Sequence, residues 1–236
     1  MRKVLFSLLC VSILFFSCQN NNDIRICGMI DGANGRMVHL SVLGTDGLTM
    51  LDSAIVKNGR FEFHVRKKQK DEFFPSEERA FFNLSFSEDN SMTTLAGFGE
   101  GVELILTNPD RIVRGYKATG AADAVLMSQL DSSLSVFACR TDTLLYIYRI
   151  CQDNDSIRVD IESQYNELVE EHHQYLRAFI RQRPQSLSSV IAFYRVYNHH
   201  RFLDEHADAE IFQLLVDSLS AKYPQSQYVE YLKNRQ

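Results

Sequence analysis

The chain has no tryptophan and only four prolines in 236 residues, and the motifs of several common chemistries are missing from it. No two cysteines stand as C-x-x-C, and no Cys-His pattern has zinc-finger spacing. Neither H-E-x-x-H nor a pair of histidines four residues apart occurs, so the usual helical zinc site is not written here. A G-x-S-x-G nucleophile turn is absent. The glycines at 97, 99 and 101 precede an alternating strand and not a helix, which excludes a phosphate-cradling loop. Positive charge is also short: 25 Lys and Arg stand against 30 Asp and Glu, for a net charge of −5. Such a balance argues against nucleic acid and against electrostatic docking on anionic lipid. Without tryptophan a carbohydrate-stacking role is weakened, although 16 Phe and 10 Tyr are present.

What is present begins with an export signal. Arg2 and Lys3 form a basic start, Val4–Phe16 is an apolar run of 13 residues, and Ser17 then precedes Cys18. Thirteen residues make a helix about 20 Å long, short of the roughly 30 Å hydrocarbon core of a bilayer. Residues 14–18, Leu-Phe-Phe-Ser-Cys, resemble a bacterial lipobox, with Phe15 where leucine is usual. The resemblance implies cleavage before Cys18 and lipidation of that cysteine, with residues 1–17 removed and 18–23 serving as a polar tether. The mature chain would then carry 23 basic against 30 acidic groups, about −7. Cys27, Cys139 and Cys151 remain, an odd number that leaves at least one thiol unpaired.

Residues 24–118 predict strands. Ile24, Ile26 and Ile30 alternate, as do Val38, Leu40 and Val42, then Phe82, Leu84 and Phe86, then Val102, Leu104 and Leu106. Turn residues fall between them, and Asn58-Gly59 is the strongest hairpin signal because a tight type I′ turn needs φ > 0 at both central positions. After it, Phe61, Phe63 and Val65 face one way and Arg60, Glu62, His64 and Arg66 the other. About eight short strands with a turn every ten or so residues predict an antiparallel sandwich. Lys67–Ser76 interrupts the rhythm as a charged loop.

No Gly or Pro occurs from Ala121 to Arg183, which permits long helices. Leu130, Leu134, Phe137, Leu144, Tyr148 and Cys151 form one stripe; Ile157, Ile161, Tyr165, Leu168, His172, Tyr175 and Phe179 form a second. Residues 152–156 break the pattern and offer caps, so the two helices should pair as an antiparallel hairpin. Shorter helices are expected at about 187–200 and 208–222, with a last one near 226–235. The expected class is α+β: an N-terminal antiparallel β-sandwich (24–118) followed by a C-terminal helical module (119–236).

The lipobox, the first strand ending in Gly28-Met29-Ile30-Asp31, the Asp52-Ser53-Ala54 and Asn58–Phe63 stretch, the strand 101–107 and Gly120 together resemble a family. They look like the N-terminal β-domain of unknown function in thiol-disulfide oxidoreductase lipoproteins of Bacteroidetes. Residues 183–186 and 222–226 resemble that family's helix linkers. In such proteins a thioredoxin-like domain bearing C-x-x-C begins near the position of Gln236. No residue here matches that pair, so redox catalysis is not carried over.

Candidate chemistry is thin. His172, His173, His199, His200 and His206, with Glu170, Glu171, Asp204 and Glu205, are the best imitation of a metal site. Adjacent histidines on a helix diverge by about 100°, however, and His172 lies on the apolar stripe. Cys139 and Cys151 would be about 18 Å apart along one helix, too far for a disulfide, and read with Cys27 as buried apolar thiols. Asp52-Ser53 reads as a cross-strand hydrogen bond and not as a nucleophile pair. No catalytic, cofactor or metal residue is therefore expected. The expected function is a non-enzymatic cell-envelope lipoprotein, held to the outer membrane through a lipid on Cys18, that binds an envelope protein or ligand. The alternative is an accessory of a separately encoded thioredoxin-like protein. Which membrane face it occupies stays open.

Overall fold

A computed structural model describes residues 23–44, 47–66, 79–87, 90–151 and 153–235. Eight strands build two four-stranded sheets. Sheet A has the order β4 (Arg60–Arg66), β1 (Asp23–Ile30), β7 (Gly101–Leu106), β8 (Tyr116–Gly120). Sheet B has the order β3 (Gly47–Ile55), β2 (Met37–Gly44), β5 (Arg79–Ser87), β6 (Asn90–Gly97). Alternation decides which side chains meet between them. Ile24, Ile26, Phe61, Phe63, Val102 and Leu104 from sheet A pack against Val38, Leu40, Phe82, Leu84 and Met92 from sheet B. The α+β class and the sandwich follow the sequence pattern, with one departure: β1 pairs with β7 in parallel, Arg25 opposite Gly101 and Ile30 opposite Leu106.

The Asn58-Gly59 turn forms as expected, at φ 51° and 71°, closed by reciprocal bonds between Lys57 and Arg60 (2.9 and 3.0 Å). It does not make a hairpin within one sheet, which corrects the sequence reading. β3 pairs with β2 in sheet B, and β4 pairs with β1 in sheet A, so the turn carries the chain from one layer of the sandwich to the other. The Gly59 carbonyl accepts from the Ile30 amide at 2.8 Å, and a Cβ on Gly59 would lie 3.2 Å from the Ile30 carbonyl oxygen. Gly59→Val should therefore lower stability by about 2–3 kcal/mol, from left-handed backbone strain on a β-branched residue. Thermal unfolding checks it, and an unchanged midpoint would show that the inter-sheet turn is not pinned by this glycine.

The helices cover the outer face of sheet B. α1 (Ala122–Ile150) and α2 (Asp155–Gln182) are each roughly 43 Å long and run antiparallel, as Arg140 with Glu171 and Tyr148 with Glu162 show. Asn154 caps α2, its side-chain oxygen accepting from the Ile157 amide at 3.2 Å, so the expected break at 152–156 holds. α3 (Ser188–Phe193), α4 (Ala209–Lys222) and α5 (Gln227–Lys233) complete the module. The helix expected to reach residue 200 stops at Phe193. Val196–Tyr197 (β9) and His200–Arg201 (β10) instead pair around Asn198 and His199, both at positive φ (46° and 64°). Asn tolerates that backbone, so this short hairpin wins over helix continuation.

β5 and β6 are buried on both faces, because Phe81 and Leu95 point away from the sandwich into the helical core with Leu176, Phe193, Leu215 and Leu232. Tyr228 of α5 seals the junction: its hydroxyl donates to the Leu43 carbonyl at 2.8 Å, and its ring meets Phe81 edge-on. Lys67–Ser76, the expected charged loop, and Cys18 with the leader and tether up to Asn22 lie outside the described residues. No helix among the described residues is long and apolar enough to cross a membrane.

Candidate functional site

Neither the second sheet nor the helices cover the outer face of sheet A. The parity that buries Ile24, Ile26, Gly28 and Ile30 turns Arg25, Cys27 and Met29 outward. Across the register Cys27 lies between Glu62 of β4 and Glu103 of β7, and Met29 lies between Arg60 and Ile105. Here the sheet forms a shallow concavity of about 640 Å³ that runs to Ser53, Ala54 and Ile55 at the end of β3. Gly28 contributes by lacking a side chain on the inner face. A Cβ there would fall 2.3 Å from the Phe61 ring, so glycine lets that ring pack under the floor. On the rim Arg25 bonds Glu62, and His64 contacts both Asp23 (3.0 Å) and Glu62 (3.1 Å). The hydrogen bond from Arg25 holds the Glu62 carboxyl below its ordinary range. Met29 and Ile105, both more than 40% exposed, stand as apolar points within this charged surround.

Cys27 is half-buried in that floor, its thiol directed at the Val102 carbonyl 3.7 Å away. Burial raises its pKa, outweighing Arg25, so the thiol stays protonated near neutrality and is a poor nucleophile. The expectation of buried apolar thiols is corrected here: Cys27 faces outward, Cys139 is exposed on α1, and Cys151 is partly exposed at the end of that helix. Parity with Ile24 and Ile26 carries the signal that Cys27 faces out. Asp52 and Ser53 are likewise not joined across strands, because the Asp52 carboxylate accepts from the Ser53 amide beside it at 2.7 Å.

The helix histidines scatter into separate roles. His172 is buried between Phe137 and Phe202 (ring centroids 5.1 and 4.5 Å), with its Nε2 unpartnered among the described residues. His173 stacks on His200 at 6.3 Å, and His199 and His206 are exposed. Of the four carboxylates Glu170 stays beside His173, at 3.5 Å, and the other three are engaged elsewhere. Glu171 pairs with Arg140, Glu205 with Arg201 (each 2.8 Å), and Asp204 accepts from the His206 and Ala207 amides. Among the described residues no three His, Cys, Asp or Glu side chains are grouped to hold a metal ion.

Burial, then the charge of Arg195, depresses the His172 pKa from 6.5 to about 4. The unfolded chain therefore binds a proton that the folded chain refuses between about pH 6.5 and pH 4. Stability should fall by about 2 kcal/mol as pH drops through that window, with no further change from this group below it. Melting temperatures of the parent and of His172→Phe across pH 4–7 isolate the effect, and parallel curves would refute it.

One cluster escaped the sequence entirely. Asp131 of α1, 4% exposed, accepts from the Tyr116 hydroxyl of β8 at 2.7 Å and from Arg195, between α3 and β9, at 2.8 Å. Burial pushes Asp131 upward, opposed by Arg195 and the tyrosine bond. A buried carboxylate of α1, a buried phenol of β8 and a mostly buried guanidinium from the connection after α3 tie the sandwich to the helices. No local pattern announces a pair 64 residues apart. The sheet A face thus presents a protonated thiol between two carboxylates, with charges of both signs and two apolar points around it. No family model, no curated protein and no solved structure matches the chain.

Proposed function

We propose that the chain is a non-enzymatic lipoprotein of the cell envelope, anchored through Cys18, that works as a binding or assembly module. The observation that carries this reading is the uncovered outer face of sheet A, where Met29 and Ile105 stand exposed amid charges of both signs. Its tether leads directly into β1, so an anchor at Cys18 would hold this face close to the membrane and its proteins. Support for the anchor is the leader itself: a basic start, an apolar run and Ser17-Cys18.

The test has two arms. In cells fed a fatty-acid analogue, Cys18→Ala should lose label completely, and label persisting in the variant would sink the anchor. From solubilised envelope, the parent chain and a Met29→Lys, Ile105→Lys variant serve as baits. A partner captured by the parent and lost with the variant supports the face as the binding surface. Identical captures would reject it. Loss of a thioredoxin-like protein in the variant lane would shift the reading to a redox accessory.

A further inference from the structure

α1 carries two apolar faces. The first, with Leu130, Phe137 and Ala138, is buried in the module. Turned roughly half a circle away lie Val136, Cys139, Thr143, Tyr146 and Ile150, all exposed (Val136 59%, Tyr146 65%, Ile150 63%). Their steps of three, four, three and four are the spacing of a coiled-coil seam. Neither α2 nor the β9–β10 hairpin occupies this side. The Thr143 hydroxyl already donates to the Cys139 carbonyl at 2.9 Å, so the seam can be buried without orphaning it.

We propose that this seam is an interface with a second copy of the chain, the two α1 helices lying antiparallel across a two-fold axis. Antiparallel packing sets Thr143 against the partner's Tyr146 and Cys139 against the partner's Ile150, each layer occurring twice. Each of these four layers joins a small side chain to a large one, and Val136 lies beyond the paired stretch. Parallel packing would instead oppose Tyr146 to the partner's Tyr146 and leave a gap at Thr143. The flanking charges select the same arrangement. Asp142, steadied by the Tyr197 hydroxyl at 3.0 Å, falls opposite the partner's Arg149, again twice. On the other flank the Arg140 stem lies over the partner's Ile147. One patch is thus complementary to itself, as a two-fold interface requires. The seam lies apart from sheet A, so the inference does not rest on the function proposed above.

Sedimentation velocity on the full chain in detergent provides the test. A concentration-dependent dimer is expected. Tyr146→Glu with Ile150→Glu should raise its dissociation constant at least about tenfold while leaving the melting temperature in place, since both residues are exposed. Arg149→Glu should weaken the dimer, and adding Asp142→Lys should restore it. Register is read in a Cys27→Ser, Cys151→Ser background, where Ile150→Cys should link under mild oxidation to the partner's Cys139. The same background with Cys139 alone should not cross-link. A monomer at all concentrations, a dimer indifferent to the glutamates, or cross-linking through Cys139 alone would overturn the proposal.

Discussion

Asp131→Ala is expected to destabilise the chain by about 3–5 kcal/mol, the largest effect of any single polar change here. Arg195 is 13% exposed, and its Nε and Nη2 already have no partner among the described residues. Removing Asp131 would strand a mostly buried guanidinium with no carboxylate and leave the Tyr116 hydroxyl without its acceptor. For a domain of this size the melting temperature should fall by about 10 °C. Asp131→Asn keeps an acceptor but not the charge, and should cost less. Replacing both members, Asp131→Leu with Arg195→Met, should recover much of the loss, because an apolar pair carries no desolvation penalty. Denaturant unfolding of the parent, Asp131→Leu, Arg195→Met and the double variant closes the cycle. If Asp131→Ala proved neutral, the triad would not be the junction between sandwich and helices described above.

Gly120→Val should cost about 4 kcal/mol and sharply reduce the yield of folded chain. Gly120 ends β8 at φ 92°, a backbone that β-branched residues avoid. A Cβ there would also fall 2.1 Å from the Gly101 carbonyl oxygen, the same oxygen that accepts from the Ala121 amide at 2.8 Å. Strain and collision thus coincide where the last strand of the sandwich hands over to α1. Gly32 supplies the control: it holds φ 76° with nothing near its missing Cβ. Gly32→Ala should cost only about 1 kcal/mol. Equal losses at the two positions would mean that the backbone angle, and not the close approach of β7, makes Gly120 necessary.

Periodicity alone determined much of this protein. Alternation set which face of β1, β4 and β7 is buried, and the stretch free of Gly and Pro after residue 120 allowed α1 and α2. Asn154 as a cap and Asn58-Gly59 as a tight turn were legible because each acts within four residues. Pairing was not. Nothing local distinguishes a turn that closes a hairpin from one that crosses between sheets, so the separation of β3 from β4 and the parallel union of β1 with β7 came only with the packed core. Helix propensity likewise failed at Asn198-His199, where positive φ at both residues turned the chain back. The apolar stripe of α1 hid a second stripe, because a helix apolar on opposite sides shows no single period. The Asp131–Arg195 pair and the double burial of β5 were tertiary decisions. Each depends on what lies across the contact, and a buried charge or an edge of apolar surface is satisfied only by residues distant in the chain.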